Sequence, residues 1–125
     1  MKKTSPDTIY VPVPNYVAAA IVPPDATWMH ISGQVGFNRE GCPEDFESQM
    51  AIAMDNILAV LRDADMNAEN IVKLTFNIVD RADLEALRKV RDEKLGGVYV
   101  ASTILVVAGF ALPELKVEID CVAAR

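Results

Sequence analysis

The chain has little of what most site chemistries need. It holds one histidine and two cysteines in 125 residues, at positions 30, 42 and 121. Their spacing matches no zinc pattern, and two thiols with one imidazole do not make a metal site. No apolar run approaches the 18 or so residues of a membrane span. The two lysines of MKKTSPDTIY have no apolar segment behind them, so a secretory leader is not expected and a cytoplasmic setting is. Positive charge is scarce: 12 Lys and Arg stand against 18 Asp and Glu, a formal net charge of -6. The basic residues are scattered among acids, without an aromatic–basic stripe, which argues against nucleic acid as a partner. There is no phosphate loop, and the Gly96-Gly97 pair lacks dinucleotide-motif spacing. No nearby His-Asp pair marks Ser102 as a nucleophile.

What is present is one ordinary domain over residues 1–125, about half apolar and a quarter charged. VAAAIV at 17–22, closed by two prolines, reads as a first strand with Tyr16 at its start, and TWMHIS at 27–32 as a second ended by Gly33. NREG at 38–41 is a turn. Over 46–64, Phe46, Met50, Ala53, Ile57 and Leu61 recur at helical spacing without Pro or Gly. Residues 71–79 alternate, with Val72, Leu74, Phe76 and Ile78 on one face and Lys73, Thr75, Asn77 and Val79 on the other. Asp80 caps a second helix over 82–94, whose inward stripe is Leu84, Leu87, Val90 and Arg91, and Gly96-Gly97 stops it. Strands at 101–108 and 115–123 complete the order. The pattern predicts an α+β fold, one sheet with two helices on a single face. The 101–108 strand is apolar on both sides, and two helices cover only one sheet face. Self-association is the economical cover for the other.

Glu118 is the odd residue, a carboxylate between Val117 and Ile119 in an apolar strand. In a dry cleft it moves protons or orients water; in an interface it forms a salt bridge or a backbone hydrogen bond. The residues alone leave both open. Tyr16, Gly33 and Asn77 have the same two readings, a cleft contact or ordinary packing and turn roles. His30 reads as a packed or interface histidine, Ser102 as a strand hydroxyl, Cys121 as a core thiol and Cys42 as a loop thiol.

PNY at 14–16, ISGQV at 31–35, QMAIAMDNILAVL, NIVKLTFNIVD at 70–80 and ALPELKVEIDCVA at 111–123 together resemble the RidA/YjgF family of reactive-intermediate deaminases. The resemblance implies a chorismate-mutase-like fold, a homotrimer with clefts between subunits, and cofactor-free release of ammonia from small 2-imino or 2-enamino acids. It assigns Glu118 to water positioning or proton transfer and Tyr16 to the cleft wall. Gly33 and Asn77 become ligand contacts. The family's carboxylate-binding arginine, followed by Ser or Thr, matches Ser102 and Thr103. Serine has no charge for a bidentate clamp, a loss of about 2 to 5 kcal/mol if nothing replaces it. Ordinary 2-imino-acid activity is therefore in question. The resemblance leaves three functions: hydrolysis of a related imine, enamine or amide-like metabolite, small-molecule binding without turnover, and a structural or protein-interaction trimer. Ribonuclease and translation-inhibitor roles described for the family fit the acidic balance less well.

Overall fold

A computed structural model describes residues 1–10 and 16–125. Its centre is α1, Phe46–Asp63, whose stripe Phe46, Met50, Ala53, Met54, Ile57 and Leu61 is buried as the spacing predicts. The Asp45 carboxylate caps it, accepting the Ser48 N–H at 2.9 Å. Four strands lie beneath: β3 (Trp28–Val35), β4 (Ile71–Ile78), β5 (Ala101–Val106) and β6 (Val117–Ala124), in the order β3-β6-β4-β5. β6 is antiparallel to both neighbours, whereas β4 and β5 are parallel and joined through α2 (Leu84–Leu95). Such a parallel pair needs a crossover, and the helix supplies it. The architecture is α+β and chorismate-mutase-like: two helices on one face of a mixed sheet.

The sheet face under the helices is apolar along its two inner strands. Leu74, Phe76 and Ile78 of β4 and Val117, Ile119, Cys121 and Ala123 of β6 are buried there. Exposed ion pairs also join the helices, Lys89–Glu47 at 2.7 Å and Lys94–Asp55 at 2.8 Å. Pairs so open to solvent add little to stability.

Several boundaries differ from the expectation, each for a local reason. The first strand is only Ala19–Ile21 (β2), and it pairs with β1, Lys2–Thr4, as a separate two-stranded sheet. Tyr16 does not begin that strand; it bridges Val100 in parallel beside the start of β5. Gly33 does not end β3. The strand runs on to Val35, and its register against β6 shifts between Ile31 and Gln34. β4 has a similar shift between Ile71 and Lys73, so Ile71 and not Val72 takes the core position. Asp80 caps a short 3-10 turn over Arg81–Asp83, accepting the Ala82 N–H at 2.9 Å, and α2 begins only at Leu84. Pro14 and Asn15 lie outside the described residues.

Gln49 escapes the periodicity argument entirely. It is fully buried on α1, with each polar atom used: Nε2 donates to Pro43 O at 2.8 Å and Glu114 O at 2.9 Å, and Oε1 accepts Lys116 N–H at 2.8 Å. The side chain holds the segment entering α1 to the segment entering β6. Gly36 makes the fit possible, because a Cβ there would lie 2.5 Å from Gln49 Cβ and 2.7 Å from its Cα. Gln49→Leu keeps the volume but strands the Lys116 N–H and two carbonyls. It is expected to destabilise the fold by about 2 to 5 kcal/mol in urea denaturation.

Burial pushes the Cys121 thiol up to about 12. The folded state therefore holds this proton more tightly than the unfolded chain, whose thiol titrates near 9. The stabilisation is complete below pH 9 and is lost as pH rises toward 12. Between pH 8 and 10 wild type should lose about 1.4 kcal/mol more stability than Cys121→Ala, measured by paired denaturation series.

Candidate functional site

β6 runs through the middle of the sheet, and its alternation sends Glu118, Asp120 and Val122 to the face away from the helices. Glu118 stands opposite Asn77 of β4 and Val35 of β3. Its carboxylate lies across Gly33: a Cβ at Gly33 would fall 2.5 Å from Oε1 and 2.8 Å from Cδ. The register shift in β3 and the missing side chain together make a seat for the carboxylate. Among the described residues it has no hydrogen-bond or ion-pair partner. A half-buried carboxylate in a sheet centre without a cation is not explained by packing.

The other residues on this face are more committed. Asn77 Nδ2 donates to the Glu118 backbone oxygen at 3.2 Å and to Asp120 Oδ2 at 3.4 Å, fixing strand β6 beside it. Thr103 accepts a hydrogen bond from Lys73 Nζ at 2.8 Å, one strand further out. At the opposite margin the rings of Trp28 and His30 stack with centroids 6.5 Å apart. Trp28 is 50% exposed and Leu105, on β5, 47%. The open face thus has a polar centre between apolar margins.

Tyr16 and Ser102 lie elsewhere. Ser102 is in register with Leu74, hence on the helix-facing side of β5, whereas its neighbour Ala101 pairs with Lys73 on the open side. Tyr16, Ser102 and Ile104 line a groove of about 180 Å³ whose other wall is α2, through Arg88 and Arg91. Glu118, Gly33, Asn77 and Thr103 therefore share one face, and Tyr16 and Ser102 the other. The two arginines were missed in the sequence as site residues. The available signal was Arg91 in the apolar stripe of α2, with Arg88 one turn before it.

Neither thiol competes for a catalytic role. Cys121 is buried with its proton held tightly. Cys42, beside a surface groove, is pushed up by burial and then by the charge of Glu114, which disfavours its thiolate. No group of three His, Cys, Asp or Glu that could hold a metal occurs among the described residues, and no helix there is long and apolar enough to cross a membrane.

This architecture has known counterparts. The family model described as Endoribonuclease L-PSP matches residues 8–125, nearly the whole chain. A RutC family protein of Aquifex aeolicus is 33% identical over 118 residues, 92% of each sequence. A Rid-family protein of unknown function from Yersinia pestis superposes with a TM-score of 0.87 at 28% identity, covering 99% of this chain and 98% of the other. RidA from an Antarctic Psychrobacter superposes at 0.75 with 26% identity over the full length of both. The chain belongs to the Endoribonuclease L-PSP family, the RidA/YjgF group of proteins.

Gly33→Ala should displace the Glu118 carboxylate without disturbing the apolar face. We expect a melting temperature lowered by only a few degrees. Any activity that depends on Glu118 should fall by tenfold or more.

Proposed function

We propose that the protein is a cofactor-independent hydrolase of a small imine, enamine or related amide-like metabolite, with Glu118 positioning the attacking water and carrying its proton. For an imine the chemistry balances simply. Water adds to the C=N carbon and one of its protons passes by way of Glu118 to nitrogen; the hydroxyl of the resulting carbinolamine then gives up its proton by the same route to that nitrogen as the C–N bond breaks, and a carbonyl compound and ammonia leave. The observation that carries this reading is the Glu118 carboxylate itself, seated over Gly33 and without a partner among the described residues. A group held in place but not neutralised is suited to general acid–base work.

The division of candidate residues between two faces supports a cleft shared by subunits. Glu118 and Gly33 cannot meet Tyr16 and Ser102 across their own sheet, because backbone and core lie between. They meet only if one subunit's open face lies against another's β5 edge, as in the homotrimer that family membership suggests. Trp28 and Leu105, exposed at the margins of the open face, are suitable apolar cover for such an interface. The acidic balance of the chain supports a metabolite over RNA as the ligand, whatever activity the family's name describes. We take the setting to be the cytoplasm, where pyridoxal-phosphate enzymes release imines and enamines.

The test is the decay of freshly generated 2-iminobutyrate and of a neutral imine, followed with and without protein. Wild type should accelerate at least one of them. Glu118→Gln should be slower by about 10²- to 10⁴-fold with an unchanged melting temperature. Light scattering should give the mass of three chains. A wild-type protein inert on both imines, yet stabilised by small ligands, would replace hydrolysis with binding alone.

A further inference from the structure

The amide of Asn77, on the open face beside Glu118, can be oriented from its partners alone. The nitrogen and oxygen of a side-chain amide are alike in shape, and only their hydrogen bonds tell them apart. Both groups that meet Nδ2 are acceptors: the Glu118 backbone oxygen at 3.2 Å and Asp120 Oδ2, a longer contact at 3.4 Å. Turned over, the amide would set its oxygen against a carbonyl and a carboxylate. The NH2 end is therefore committed to β6. The other end is not: Oδ1 has no hydrogen-bond partner among the described residues and is not buried.

Two open acceptors thus face each other on this surface, the Glu118 carboxylate and Asn77 Oδ1. Lys73, a cation on the same face, is held by Thr103 on the outer strand. Glu118 and Asn77 are opposite in register, but their polar ends diverge. The carboxylate leans over Gly33 of β3, whereas the amide rises from β4, with β6 between them. Neighbouring strands are about 4.8 Å apart, so the acceptors flank a strip about one to two spacings wide. One water, a C=N bond and a hydrogen bond at either end fill such a strip. A group that binds across it must bring its own donors.

We propose that Asn77 Oδ1 accepts an N–H of the reacting nitrogen, that Asp120 is the positioning residue holding the amide in this sense, and that the site therefore takes N-unsubstituted imines, enamines or amide-like metabolites. The inference rests on the proposed hydrolase reading and specifies the nitrogen that this hydrolase accepts. Glu118 holds the water on the Gly33 side, and the nitrogen lies on the β4 side. An imine nitrogen carries one hydrogen, the carbinolamine nitrogen two and the departing ammonia three. An acceptor at this point meets more donors as the reaction proceeds, so it stabilises what forms more than what arrives. It also selects. A site built to accept an N–H rejects the analogue without one, because its acceptor is then left unpaired.

The test compares kcat/KM for two substrates: whichever of 2-iminobutyrate and the neutral imine wild type hydrolyses faster, and the N-methyl counterpart of that imine. The full-length protein is used as wild type, Asn77→Leu, Asp120→Ala, Asp120→Asn and Glu118→Gln, each with its melting temperature. Wild type should prefer the N–H imine by about tenfold or more. Asn77→Leu, of similar volume, should lose about tenfold on the N–H imine and change little on the N-methyl one, bringing the ratio near one. Asp120→Ala should narrow the ratio by about threefold or more through kcat, at an unchanged melting temperature. Asp120→Asn, which still offers an acceptor oxygen, should recover most of that loss. Glu118→Gln should slow both substrates and keep their ratio. A wild type that hydrolyses no imine would remove this inference together with the hydrolase reading. Active wild type that treats the two imines alike would overturn this inference alone. So would an Asn77→Leu variant that keeps the wild-type ratio, since the methyl group would then be excluded by size. A ratio unchanged in Asp120→Ala would overturn the role given to Asp120.

Discussion

The geometry depends first on the buried amide of Gln49. Its hydrogen bonds join the segment before α1 to the one before β6, two parts of the chain more than sixty residues apart. β6 is one of the two inner strands and carries Glu118. The position of the candidate catalytic carboxylate is therefore set partly by an interaction on the opposite side of the sheet. Three hydrogen bonds from one side chain fix orientation in a way that apolar packing alone does not, since packing tolerates small rotations. Gly36, pressed against the Gln49 backbone, lets helix and strand approach closely enough for this arrangement.

The architecture could be read from the sequence because its signals are periodic. The α1 stripe and the alternation in β6 each reported a buried face, and both faces meet in the core. What escaped were features that periodicity does not encode. A register shift near Val72 changed which residue turns inward, and another let β3 run through Gly33. Nothing in the helical spacing marked Gln49 as buried, because the backbone groups that satisfy it come from distant loops. β1 was too short to show a pattern.

The candidate site was legible in part and for a different reason. Glu118 drew attention because a charge in an apolar strand violates the pattern around it, and such a violation calls for either a partner or a use. The resemblance turned Tyr16, Gly33, Asn77 and Ser102 from open alternatives into cleft residues and added Thr103. It could not say that they separate onto two faces, because that depends on sheet register and on where the segment before β2 lies. Nor did it single out Arg88, which reads as one more charge on an exposed helix until α2 is placed against β5.

The seat at Gly33 also bears on how such a sequence can drift. A side chain at 33 and the carboxylate at 118 contend for the same volume, so the two positions are not independent. A descendant that keeps the acid on its seat is confined to glycine at 33. One that first shortens residue 118 is released from that restriction, and once alanine or serine settles at 33 a returning glutamate must hold its carboxylate elsewhere. The pair works as a ratchet on the seat, whose loss is easier to make permanent than its gain.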